Sequence, residues 1–315
     1  MKILITGVSG FIGGNLYNFL NGNHNYEMYG IDKEITSEDL NFTKIDIRDP
    51  NELFEYFKNL RPDVVIHCAA RTDLGGASLS DYDSNTVGCY NIVNACEINK
   101  ENKPVLLSFS SMLVCGRGHI PLNENDYSAS TFYGASKVIS ELYTRRYSGN
   151  YVLLRPTSIW GPGFKSPYRN FFETVIAKKF IAPNHNKLAT KSYGYIENVQ
   201  FQIEYIFNNI EIFNENKIIY LLDNNEYNIG DWADEISLLL GYKKYLKTPL
   251  FFFKYASYLG DLLSIIKINF PLTTFRYKNM TINYKLPHDN RFDCLTEKYI
   301  PRKIGVKRTL EWLTK

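Results

Sequence analysis

The chain has 315 residues, 44% of them hydrophobic and 22% charged. Those proportions exclude a disordered or fibrous protein, and the length suits one large domain or two modest ones. A balance of 36 basic and 33 acidic residues leaves a net charge of +3, too mild and too mixed to argue for a nucleic-acid partner. Met1 to Thr6 is too short an apolar stretch for a signal-peptide core. The five cysteines, Cys68, Cys89, Cys96, Cys115 and Cys294, form no CxxC pair, which fits packed thiols in a reducing cytoplasm. His24, His67, His119, His185 and His288 are scattered without ligand spacing, so no metal is expected. Aromatic residues make up 15% of the chain. Compositional bias would produce that excess, and so would aromatics lining a site or a sticky surface in the second half.

In chain order, Lys2 to Thr6 reads as a strand, followed at once by glycines and an apolar helical pattern from Phe11 to Leu20. Strands are expected at 26–31 and 42–47. Asp49, Pro50 and Glu52 then mark a helix start, with Asp49 as cap and Glu52 placed for a capping box. Residues 64–68 read as a buried strand, 81–98 as a helix, 105–109 as a strand, 132–147 as a helix and 152–154 as a strand. Near-continuous apolar strands alternating with amphipathic helices predict a Rossmann-type doubly wound parallel sheet covered on both faces, with binding at the carboxyl ends of its strands. After Arg155-Pro156 the rhythm breaks at Gly161-Pro162-Gly163. The expected division is therefore a nucleotide-binding domain over 1–160, with later strands near 195–222 returning to it, and an interleaved, smaller, mostly helical substrate lobe over 161–315. The Phe-rich stretch 248–270 is interrupted by Lys254, Gly260-Asp261 and Lys267, too short for a membrane span. A helix packed on the small lobe is the expectation; a dimer face or a membrane-surface contact stays open.

The first chemistry lies in Thr6-Gly7-Val8-Ser9-Gly10-Phe11-Ile12-Gly13. Glycines let the backbone turn sharply and let a pyrophosphate approach amide groups at a helix N-terminus, so Gly7, Ser9, Gly10, Phe11, Ile12 and Gly13 are candidate cofactor contacts. Asp32 closes the next strand, placed to accept hydrogen bonds from a ribose 2′-hydroxyl and to repel a 2′-phosphate. That favours NAD over NADP, although Lys33 beside it pulls the other way.

With its glycines spaced GxxGxxG, the chain resembles the extended short-chain dehydrogenase/reductase family, in its NAD-dependent epimerase/dehydratase branch. Asp46-Ile47 resembles the pair that contacts adenine there. His67-Cys68-Ala69-Ala70 resembles the segment beside the cofactor, and Asn85-Thr86-Val87-Gly88 the following helix opening. Ser108 to Ser111 ends a Ser-rich strand, Tyr133-Gly134-Ala135-Ser136-Lys137 matches Y-x-x-x-K, Leu154-Arg155-Pro156 opens an L-R-P segment, and Tyr195 to Val199 matches a later motif. The resemblance implies NAD contacts at Cys68, Ala69, Ala70, Asn85 and Pro156, a nucleotide-sugar substrate and a homodimer. Substrate contacts are expected at Arg71, Thr72, Ser111, Arg169, Asn170, Lys191 and Arg291, the basic residues as phosphate ligands.

The chain holds three Tyr-Lys pairs at this spacing, Tyr29/Lys33, Tyr133/Lys137 and Tyr299/Lys303. The first straddles a strand end and the third encloses Pro301, whereas Tyr133 and Lys137 share one face of a predicted helix. Tyr133 is the expected general acid/base, Lys137 the cation that lowers its pKa and holds the nicotinamide ribose, and Ser111 the partner of the reacting oxygen. In dehydratases of the family the Ser/Thr is followed by Asp-Glu. Here Met112-Leu113 can neither donate nor accept a proton, so the resemblance narrows to epimerisation, ketone reduction or alcohol oxidation in the making of surface-glycan precursors. A dehydrogenase of an apolar, sterol-like alcohol is the alternative, to which the Phe-rich stretch would be suited.

Overall fold

The computed structural model describes residues 1–315 except 36–38, 40, 117, 118, 120, 269 and 271, and omits the side chains of His185 and Phe275. The His185 side chain and Asn269 of the Phe-rich stretch therefore lie outside the described residues. The chain runs β1 (Lys2–Thr6), α1 (Phe11–Leu20), β2 (Glu27–Asp32), β3 (Phe42–Lys44), α2 (Pro50–Leu60), β4 (Val64–His67), α3 (Asp83–Cys96), β5 (Val105–Phe109), α4 (Phe132–Thr144) and β6 (Tyr151–Pro156). It continues through β7 (Ser158–Trp160), α5 (Tyr168–Ile176), β8 (Ile181–Pro183), β9 (Lys191–Tyr195), α6 (Ile196–Asn208), β10 (Ile218–Leu221), β11 (Glu226–Tyr227) and α7 (Ile229–Leu239). It ends with β12 (Leu246–Thr248), α8 (Leu250–Ile265), α9 (Thr274–Thr281) and α10 (Arg302–Leu313).

Two compact units emerge. The first comprises Met1–Thr157, Ile196–Leu222 and His288–Tyr299. Its sheet is parallel in the order β10-β6-β5-β4-β1-β2-β3. Leu4, Ile31, Val65, Leu106 and Leu153, from five adjacent strands, are buried in one cluster with Leu53 and Phe57 of α2 and Ile92 of α3. Each fully buried aliphatic side chain is worth about 1.5–3 kcal/mol. Strand order reverses between β1 and β4, where Thr6 pairs with His67, so the crevice above these two strand ends is the place where such sheets bind ligands. Asp49 caps α2, accepting from the Asn51 N–H at 2.9 Å. The cap is a local Asx turn rather than the reciprocal box expected with Glu52.

His288–Tyr299 belongs to this unit and not to the lobe, a correction with a local cause. The Arg291 guanidinium donates to both Asp289 oxygens (2.9 and 2.6 Å) and to the carbonyls of Ile212 and Asn216 (3.0 and 3.2 Å), and it lies 4.3 Å from the Phe213 ring centre.

The second unit, Ser158–Tyr195, Asp223–Pro287 and Ile300–Lys315, combines a three-stranded sheet (β11-β9-β7), a two-stranded one (β12-β8) and helices α5 and α7–α10. Its core is aromatic: Trp160 and Trp232 meet edge to face at 4.8 Å, Tyr193 stacks on Tyr227 at 4.6 Å, and Phe171 and Phe172 flank Trp232. Much of the aromatic excess is thus packing material. Gly305 of α10 fits against this cluster because a Cβ would lie 3.0 Å from both Trp160 and Tyr195. Helix α8 packs on α9 of this unit. Ser257 and Gly260 are its buried residues, while Phe251, Phe252, Tyr255 and Leu262 are exposed.

Candidate functional site

The turn after β1 is built for close approach. Gly7 has φ +73°, donates to the Ile31 carbonyl at 2.8 Å, and leaves room for Ala69, whose N would lie 2.6 Å from a Cβ. Gly13 is buried against the Gly7 carbonyl, 2.2 Å from where a Cβ would stand. Gly10 precedes helix α1 as an N-cap without a side chain, and the first turn holds no acid, so the N–H groups around Phe11 and Ile12 keep the positive end of the helix open to an anion. Asp32 accepts from the Ser9 N–H at 3.1 Å and the Glu34 N–H at 3.3 Å, which fixes its carboxylate beside the turn.

A cavity of about 410 Å³ opens there, lined among others by Gly7, Gly10, Asp32, Lys33, Asp46, Ile47, Cys68, Ala69, Ala70 and Arg71. A glycine cradle that a Cβ would fill, an open helix start and a fixed carboxylate at the second strand fit a dinucleotide. The cavity also includes Arg48, which sequence reading missed. Arg48 donates to Asp46 at 3.0 Å and to Asp83 at 3.2 Å, and this contact holds the Asp46 carboxyl below its usual range. Thr6 is a second residue without a sequence signal: its hydroxyl meets His67 Nδ1 at 2.8 Å and accepts the Ala69 N–H at 3.2 Å. Burial, with the nearby Lys137 charge, pushes the His67 imidazole down to about 3, so it is neutral at pH 7.

Asn85 and Pro156 stand differently. The Asn85 amide is taken up inside the protein, accepting from the Arg71 N–H (2.7 Å) and donating to the Arg71 carbonyl and to Ser136 Oγ (both 2.9 Å). It is a brace for the loop after β4 rather than a ligand contact. Pro156 closes β6.

Helix α4 starts at the Thr131 cap, which accepts from the Gly134 N–H at 3.0 Å. Gly134 permits the helix to press on the turn after β5, since a Cβ would lie 2.3 Å from the Leu113 carbonyl. That turn is itself capped by Ser111, whose Oγ accepts the Leu113 N–H at 3.1 Å. Ser111 and Tyr133 are thereby brought together. The Tyr133 phenol is buried, and burial raises its pKa to about 12 while the Ser111 hydroxyl beside it pulls the other way. Lys137 is also buried; its Nζ donates to the Phe109 carbonyl at 2.8 Å. Its charge is directed at that carbonyl, and the lowering of the Tyr133 pKa expected from Lys137 is corrected: burial raises it.

Burial depresses Lys137 from 10.5 to about 8. An amine whose folded pKa lies below its unfolded value contributes stability above the unfolded pKa, and that contribution is lost as pH falls toward the folded one. Without nucleotide, wild-type stability should therefore rise relative to Lys137→Met by about 1 kcal/mol per pH unit between pH 8 and 10. Urea titrations across that range measure it, and parallel wild-type and variant curves would contradict it.

The remaining substrate candidates are divided between the two units. Arg71 is paired with Asp73 at 2.7 Å and donates to the Asp81 carbonyl, while staying on the cavity wall, and Thr72 is exposed beside it. Arg291 is corrected to a structural role, its donors being taken up as described above. In the second unit, Lys191 donates to Asn279 at 2.6 Å, and on α5 Arg169 pairs with Glu173 while Asn170 is exposed. Lone cations carry no record of their partners, which here are nearby acids for Arg71, Arg169 and Arg291, distant carbonyls as well for Arg291, and a distant amide for Lys191.

Glu141, one turn beyond Lys137 on the same face, is fully buried against Arg155 of the L-R-P segment. Arg155 Nε and Nη2 each donate to it at 2.8 Å, Tyr127 donates at 2.8 Å, and Ser110 Oγ completes the set. The i, i+4, i+8 run Tyr133-Lys137-Glu141 is the signal that could have found it.

A parallel sheet with a glycine turn at its switch point defines a dinucleotide-binding protein of the Rossmann class. Within that class, the chain belongs to the NAD dependent epimerase/dehydratase family, whose model matches residues 3–209. Protein CapI of Staphylococcus aureus is 28% identical over 186 residues, 51% of this chain and 55% of that protein. A UDP-glucose 4-epimerase of Vibrio cholerae is 28% identical over 191 residues, 55% of this chain and 56% of that protein. The chain spans about half the length of these curated relatives. The Bordetella bronchiseptica enzyme WbmH, solved in complex with NAD+, shares the fold with a TM-score of 0.75 over 100% of this chain and 98% of that one, at 18% identity.

Proposed function

We propose that this chain is a cytoplasmic NAD-dependent nucleotide-sugar epimerase or ketoreductase serving surface-glycan synthesis. Bound NAD supplies a hydride acceptor and donor. Tyr133 moves the proton at the reacting oxygen, and Ser111 holds that oxygen by a hydrogen bond. Lys137, beside the Phe109 carbonyl, would hold the ribose hydroxyls. With the Tyr133 pKa at about 12, the phenol starts protonated at pH 7 and is ready to donate; to accept a proton it needs added positive charge nearby, as an oxidised nicotinamide would bring. The observation that carries the reading is the pairing of Ser111 with buried Tyr133 while Met112 and Leu113, which follow Ser111, offer no acid or base. That supports hydride transfer without elimination of water.

Asp32, fixed by two N–H groups, favours a free 2′-hydroxyl and hence NAD. An enzyme that returns its hydride recycles its cofactor. Denaturing the purified protein should therefore release NAD in near-stoichiometric amount. Empty protein that oxidises added NADPH with a keto-sugar would overturn the epimerase reading.

A further inference from the structure

We propose that α8 is a membrane-surface anchor, lying in the interfacial layer of an anionic lipid bilayer. The helix is inverted relative to an ordinary surface helix. Its buried side is small and polar, formed by Ser257 and Gly260, where a Cβ would stand 1.9 Å from the Leu272 carbonyl. Its outward side is an apolar stripe at helical spacing: Phe251, Tyr255, Tyr258, Leu262 and Ile265, with Phe252, Leu259 and Ile266 alongside, several of them more than 60% exposed. Sixteen residues make a helix about 24 Å long. No helix among the described residues is long and apolar enough to cross a membrane, so the geometry suits a helix lying in the surface plane.

Charge selects the occupant. Residues 241–287 carry eight lysines and arginines against one carboxylate, Asp261; Lys244 and Lys285 meet Asp234 and Glu226 from outside the segment, which leaves Lys243, Lys247, Lys254, Lys267, Arg276 and Lys278 as its cationic set. Asp261 is engaged in capping α9, accepting from the Thr274 N–H at 3.0 Å and its hydroxyl at 2.6 Å. Lys254 lies at the edge of the stripe and Lys267 just past its end, Lys247 sits on the strand that precedes it, and Arg276 and Lys278 are on α9, which packs on α8. A second copy docked stripe to stripe would bring two such cationic segments together, with cost rather than gain. Anionic headgroups match the cations, and acyl chains take the aromatic and aliphatic side chains.

The inference stands apart from the hydride chemistry and is tested on the full chain with phosphatidylcholine vesicles, with and without phosphatidylglycerol. Wild type should cosediment with the anionic vesicles at least about 10-fold more than with neutral ones, and less at high salt. Tyr255→Glu/Leu262→Glu, both at exposed positions, should lose that binding about 10-fold or more while keeping the wild-type thermal midpoint. Lys254→Gln/Lys267→Gln should weaken it only several-fold. Wild type that ignores anionic vesicles overturns the proposal. So does a dimer, seen by light scattering, that Tyr255→Glu/Leu262→Glu dissociates while vesicle binding is absent.

Discussion

Replacing Tyr133 with Phe is expected to lower turnover by about 10²–10⁴-fold, the range that a positioned proton-transfer group contributes. The substitution removes one oxygen. The ring is only 8% exposed and lies 6.1 Å from that of Tyr82, so the Phe ring keeps the same packing and α4 keeps its Thr131 cap. Nucleotide binding and thermal midpoint should stay at wild-type values, which separates loss of chemistry from loss of fold. Full residual activity would remove Tyr133 from the mechanism. The same oxygen should report on charge in the site. Burial pushes the phenol up to about 12, and saturating NAD+ should lower that value, read from phenolate absorbance in the difference between wild type and Tyr133→Phe.

The second large effect concerns Glu141 and Arg155. Both are essentially out of solvent, at 0% and 1% side-chain exposure, and each holds the other's charge. Arg155→Met leaves a carboxylate buried with only the Tyr127 and Ser110 hydroxyls as partners, and should cost about 3–5 kcal/mol of unfolding free energy. Glu141→Leu strands the guanidinium and should cost a similar amount. The double variant Glu141→Leu/Arg155→Met should be far more stable than the sum of the two single losses predicts, because a buried pair gains little over apolar side chains of similar volume. Denaturant titration of the four proteins measures this. Single variants within about 1 kcal/mol of wild type would show that the pair is not desolvated as its burial implies.

What could be read from the sequence was what short-range physics decides. The alternation of apolar strands and amphipathic helices marks the parallel sheet. The glycines after Thr6 announce a turn that only Gly can make, as φ +73° at Gly7 bears out, and Asp49-Pro50 marks a helix start that the Asn51 N–H then uses. Tyr133 and Lys137 were separable from two decoy pairs because order along the chain, unlike spacing, distinguishes a helix after the fifth strand from a strand end. What could not be read depends on partners far apart in sequence. Arg291 has the composition of a phosphate ligand, yet its donors go to Asp289 and to carbonyls more than 70 residues away. The segment around it returns to the first unit on that account. Apolar content placed a helix within 248–270 but not the direction of its face, because the buried side is formed by Ser257 and Gly260, two residues that no hydrophobic pattern singles out.

Purified protein loaded with NAD should be incubated in deuterium oxide with UDP-, GDP- and dTDP-hexoses, and the recovered nucleotide sugars examined by NMR. Hydride taken from and returned to the same carbon predicts inversion at a carbinol centre for at least one of them, with no deuterium at the inverted carbon and no loss of water. Deuterium at a carbon next to the reacting centre, or a deoxy-keto product, would contradict it.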